Sequence, residues 1–265
     1  MIERRVLLPL ALLLALAGEA RAWPAEVMTG LGRDARRLLP RSLSRLLGER
    51  EPQIQDEMRR FPRELGLALA TDLPTGRLSP ETLEGLTAEA DRVVELLRAG
   101  RVSEGLVRMG ALLRVPADLS DPVLGVGPQG WPPGLTREYY ALLGANLAKM
   151  PVVLESDRAL HLARQDLPAY WQGLAERSRP QVSVIRAELY QNGRVVDHRR
   201  LDYRSPAWAV ASLSYSRAVT GIAATWLALW REAHGDTTRM PAPRAVGPRP
   251  PPIADERPAQ PPEAP

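Results

Sequence analysis

The chain has no cysteine and only three histidines, His161, His198 and His234, among 265 residues. Without cysteine there are no disulfides, thiolate zinc sites, iron–sulfur clusters, thiol nucleophiles or lipoprotein acylation. Three scattered histidines leave little material for a histidine-rich metal centre. Phenylalanine occurs once, and so does lysine, as Lys149, so nearly all positive charge is arginine. Familiar chemical motifs are also missing. There is no Walker or dinucleotide glycine loop, no G-x-S-x-G elbow and no H-E-x-x-H helix. These absences remove the best-marked nucleotide-binding, acyl-transfer and metalloprotease classes.

Composition is otherwise that of a globular chain, with 45% apolar and 25% charged residues and a net charge of +4. Arg4 and Arg5, the apolar run Val6 to Ala17 and Ala20-Arg21-Ala22 form a secretory signal pattern over residues 1–22. Cleavage there makes Trp23 the new N-terminus. The product is expected to be exported, periplasmic or extracellular, with no transmembrane span after cleavage. At the other end, residues 236–265 are proline-rich without apolar periodicity. Such a segment buries too little surface to offset its ordering entropy, so a disordered tail is expected. A single helical domain over 23–235 lies between.

Within that domain the apolar spacing is helical nearly throughout. Arg41 to Arg60 reads as a helix split or kinked at Pro52. Ser79-Pro80-Glu81 starts a helix that ends at Gly100, and Ser103-Glu104 starts the next. Thr136 is expected to cap a helix reaching to Pro151. Ser156 to Arg177 reads as a helix kinked at Pro168, and Pro206 to His234 as a long buried one. Asn192-Gly193 between β-prone runs predicts a small hairpin near 182–202. One irregular helix through Ile185 and Leu189 is the alternative. The loop Leu119 to Pro133 is long enough to be functional. Asp157 and His161 pair on one face, most simply as surface polar groups. Arg33, Arg36, Arg37, Arg41 and Arg45 fall on one broad stripe that could meet anionic lipid head groups. No aromatic interleaves there for base stacking, so no nucleic acid is expected.

The run Met109 to Leu124, MGALLRVPADLSDPVL, resembles the signature of the zinc-dependent phospholipases C and the fungal-type single-strand-specific nucleases. That signature is a helix histidine, an aspartate four residues on, then a proline with a second histidine two residues later. The resemblance implies an all-α multi-helix fold and metal binding through an N-terminal tryptophan, here Trp23. It also implies metal contacts from Asp118 and from a glutamate on the next helix, here Glu138. Ser214, Ser216, Val219 and Trp230 lie on a helix similar to the family's last core helix. The histidine positions depart from the pattern: Arg114, Leu124 and Gly134 stand there, and Arg63 follows Phe61-Pro62.

An Arg114–Asp118 salt bridge at i, i+4 is therefore expected to replace the metal. The expected product is a catalytically degenerate relative, without cofactor, that binds anionic head groups or an envelope protein. Two alternatives stay open. One is an active phosphodiesterase, a hydrolase using zinc at Trp23, Asp118 and Glu138. The other is an unrelated helical envelope protein.

Overall fold

Serines and prolines divide the chain into helices. The computed structural model describes residues 23–126, 131–154 and 157–241. The signal pattern, most of the proline-rich tail, Ser156 and part of the glycine-rich loop lie outside the described residues. Helix α1 spans Ala25–Arg36, α2 Arg41–Gly48 and α3 Glu51–Arg59. Pro40 ends the first gap, and Pro52 sits in the first turn of α3, where its missing N–H costs nothing. The expected split is thus a two-helix break. Helix α4 spans Arg63–Asp72 and α5 Pro80–Arg98. The Ser79 side chain caps α5 by accepting from Thr82 N at 3.2 Å, and Gly100 ends it at φ 76°. Helix α6 is Val102–Ala111 and α7 the short Arg114–Ser120.

Three expected boundaries move. Helix α8 spans Leu135–Asn146, and its N-cap is Gly134 at φ 86°, not Thr136. Residues 157–166 form two 3₁₀ turns, Asp157–His161 and Arg164–Asp166. Pro168 then opens helix α9, Leu167–Ser178, rather than kinking a longer one. A proline tolerates a first turn better than an interior position, and that preference sets the boundary. Val182 to Ile185 lie in helix α10, Gln181–Leu189. Only Tyr190–Gln191 (β1) and Arg194–Val195 (β2) pair, antiparallel, around Asn192 and Gly193 at φ 52° and 76°. Two positive φ angles are what a type I′ turn needs. The hairpin exists, but it is shorter than β propensity alone suggests.

Helix α11, Pro206–Glu232, is the axis of the molecule, capped by Ser205 accepting from Trp208 N. It packs most extensively on α7 and also meets α1, α8, α9 and α10. Gly221 permits a close approach: a Cβ there would stand 2.8 Å from Pro116 Cβ on α7. Buried tryptophans tie the layers by paired indole N–H groups. Trp171 on α9 donates to Thr225 Oγ1, and Trp226 on α11 donates to the Met109 carbonyl. Asp34, on α1, accepts from Tyr215 Oη on α11 at 2.8 Å. After α11 the chain stays on the body through Met240, where Trp230 donates to the Asp236 carbonyl. The described residues form an all-α protein with one small hairpin. No described helix is long and apolar enough to cross a membrane.

Candidate functional site

Helix α7 carries the motif residues, and it is buried on nearly every side. Val115, Ala117 and Leu119 are inaccessible, and Asp118 is only 4% exposed. Trp23 is also buried and donates its indole N–H to the Ala117 carbonyl at 2.8 Å. The expected first mature residue thus docks one position from the motif aspartate. Arg114 Nε donates to Asp118 Oδ2 at 3.2 Å, across one helical turn. The same guanidinium lies over the Phe61 ring, 5.4 Å from its centroid. Such a planar cation is satisfied by an aromatic face and a carboxylate together.

Satisfaction is incomplete beyond that pair. Asp118 Oδ1, Ser120 Oγ and Tyr139 Oη are buried without a hydrogen-bond partner. Each such atom costs about 1–3 kcal/mol. Ser214 stands near the Tyr139 phenol without normal hydrogen-bond geometry. Asp121, just past α7, is fully buried. It accepts from Tyr140 Oη at 2.7 Å and from Val123 N at 2.9 Å. Burial pushes the Asp118 carboxyl up to about 6, against the lowering pull of Arg114. Burial pushes Asp121 up to about 7, although Tyr140 and Val123 stabilise its charge. The Tyr139 and Tyr140 phenols are pushed well above their ordinary value, first by burial and then by the Asp121 charge. The region is a buried acidic and phenolic cluster with one cation, Arg114, at its edge.

Glu138 belongs elsewhere. Its Oε2 accepts from His198 N at 3.2 Å and meets His198 Nδ1 at 2.9 Å. Its Oε1 pairs with the Arg137 guanidinium at 3.2 Å. Hydrogen bonds from His198, ring first and then backbone, lower the Glu138 carboxyl from its ordinary range. Asp197 Oδ1 lies 3.5 Å from the same Nδ1 and accepts from Arg199 N. Among the described residues, this is the one group of three histidine or acidic side chains clustered closely enough to hold a metal ion.

The structure therefore brings Trp23 to α7 and pairs Asp118 with Arg114, but it directs Glu138 to His198. The donor set Trp23, Asp118 and Glu138 does not fit a zinc centre. A fixed cation occupies one oxygen of Asp118, and both oxygens of Glu138 are engaged away from it. The arginine stripe is also largely compensated. Arg33 and Arg37 pair with Asp34, Arg36 with Glu51 and Arg45 with Glu49. His161 ends a 3₁₀ turn on the surface, not a helix face. Sequence reasoning missed Asp121, Tyr140 and His198. The adjacent Tyr139-Tyr140 pair was the available signal for the buried carboxylate, since phenols seek a partner inside. No protein-family model, characterised protein or solved structure matches this chain.

Proposed function

We propose that this chain is an exported, non-catalytic relative of the zinc-dependent phospholipases C that works by binding in the cell envelope. One observation carries the reading: the Arg114 guanidinium is held on Asp118, where the motif's histidine would serve a metal. Trp23 docked on the same helix supports the ancestry, because the resemblance expects the first mature residue beside the motif aspartate. A metal-activated water needs an open coordination position and a polar cleft around it. Here Val115, Ala117 and Leu119 of α7 are inaccessible and Asp118 is buried, with no open cleft at the carboxylate among the described residues.

The surface left for a partner is cationic but not the α1–α2 stripe, where Arg33, Arg36, Arg37 and Arg45 already hold carboxylates. Arg194, Arg199 and Arg200 are exposed on the hairpin and the turn after it, beside Tyr203 at 65% exposure. Guanidinium groups with an amphipathic ring suit anionic head groups. The test is hydrolysis of a chromogenic phosphocholine diester by the purified mature protein, with and without added zinc. No turnover in either condition is expected. Zinc-dependent turnover that Asp118→Asn abolishes would overturn the proposal.

A further inference from the structure

Glu138 on α8 and the Asp197–His198 pair after the hairpin bring three donor side chains together across 60 residues of sequence. One donor atom from each lies within 4.8 Å of the other two. His198 Nδ1 stands 2.9 Å from Glu138 Oε2 and 3.5 Å from Asp197 Oδ1. A ring nitrogen carries at most one proton, so it donates to one of these oxygens and not to both. A single divalent ion answers all three atoms at once. With metal–donor distances of ~2.0–2.2 Å, adjacent donors in octahedral or tetrahedral geometry stand roughly 2.9–3.5 Å apart. Both measured separations lie in that interval.

We infer that Glu138, Asp197 and His198 form a binding site for one divalent transition-metal ion, distinct from the Asp118 region. One imidazole with two carboxylates suits zinc and its borderline neighbours better than magnesium or calcium. The surroundings already orient the donors. Arg137 holds Glu138 Oε1, which leaves Oε2 to face the ring. Arg199 N donates to Asp197 Oδ1, the same oxygen that faces the ring, and fixes its position. Such outer contacts set ligand direction. The Asp197 side chain is 53% exposed, so solvent can reach the site and complete the coordination. An ion here staples the hairpin and its arginine-bearing turn to α8. The inference shares Glu138 with the metal set that the resemblance implies but rests on Asp197 and His198, which that resemblance does not name.

The test is calorimetric titration of zinc into the chelator-stripped full chain, with thermal unfolding in parallel. One ion per chain and a rise in Tm are expected. Asp197→Ala changes an exposed side chain whose hydrogen bond from Arg199 N caps only the short turn His198–Arg200. It and His198→Ala should each weaken binding by more than about tenfold, the scale seen even for outer-shell losses. Asp118→Asn, and His161→Ala with His234→Ala, should leave affinity unchanged. No binding by the unaltered chain, or equal affinity in Asp197→Ala and His198→Ala, overturns the inference and leaves the non-catalytic reading standing. Binding lost in Asp118→Asn and kept in His198→Ala overturns the inference and counts against that reading as well.

Discussion

Two carboxylate regions lie on neighbouring helices and behave oppositely. Around α7, Asp118 and Asp121 are buried, short of partners and pushed up towards neutrality. At the start of α8, Glu138 is half-buried, fully partnered and pulled down. The contrast follows from what surrounds each acid. A carboxylate given two N–H donors and a guanidinium is held below its ordinary range, whereas a buried one with a single cation is pushed above it. An acid kept in the interior against this cost is hard to explain by packing alone. A carboxamide or an apolar side chain would serve stability better there. Asp118 has the Arg114 guanidinium beside it. Asp121 instead accepts from the Tyr140 phenol and the Val123 N–H.

The largest effect expected in the α7 region comes from the residue that anchors it. Trp23→Ala removes a buried indole and its bond to the Ala117 carbonyl, and should cost about 3–5 kcal/mol of stability in urea unfolding. Trp23→Phe keeps most of the ring and should cost only about 1 kcal/mol, the share of the hydrogen bond. Equal losses in the two variants would mean that the polar contact, not the packing, holds α7.

Next is the pH dependence. The folded-state values of Asp118 and Asp121, about 6 and about 7, stand above the ordinary 3.8. Between these limits the folded state binds more protons than the unfolded chain. Stability from these groups is therefore fully present below the unfolded value of 3.8 and is lost as pH rises through about 6 and about 7. A fall on the order of a few kcal/mol between pH 5 and pH 8 is expected, read from urea midpoints. Asp121→Asn should flatten most of that fall, because the amide does not titrate, while its oxygen can accept from Val123 N and its NH2 can donate to Tyr140 Oη. A wild-type profile that rises over this window would contradict the burial argument.

A smaller loss is expected from Arg114→Met, about 2 kcal/mol at pH 8, where Asp118 is left charged without its cation. The figure is below that of a fully buried pair because the Arg114 side chain is 32% exposed. At pH 5 the loss should shrink, since a protonated Asp118 needs no cation. A loss equal at both pH values would assign the role of Arg114 to its packing on Phe61 instead.

The two regions also differ in how far the sequence reveals them. The Arg114–Asp118 contact is local, and helical spacing is enough to place it. The ends of α5 are likewise legible, because Ser79-Pro80 and Gly100 act within a turn of where they stand. The Glu138–His198 contact joins residues 60 apart, and no periodicity encodes such a pairing. Asp121-Pro122 has the composition of an exposed turn. Its burial depends on Tyr140 and on the closure of the loop, where Trp131 donates to the Val123 carbonyl. Gly134 outcompetes Thr136 as a cap because the chain enters α8 through a left-handed turn, which a threonine resists. Each miss is a place where tertiary geometry, not local preference, decides.

The smallest effect tests the other side of the comparison. Glu138→Gln keeps an acceptor for His198 N but removes the charge that faces the imidazole and Arg137. The cost should be about 1 kcal/mol or less at neutral pH, as for partly exposed ion pairs. Its sign with pH is the reverse of the α7 region. A carboxyl lowered by its partners contributes stability above its unfolded pKa and loses it as pH falls through the lower folded value. The gap between wild type and Glu138→Gln should therefore be constant from pH 8 down to about 5 and close below about 4. A gap that instead widens in acid would mean that Glu138 is held in its protonated form, and the two regions would then be alike.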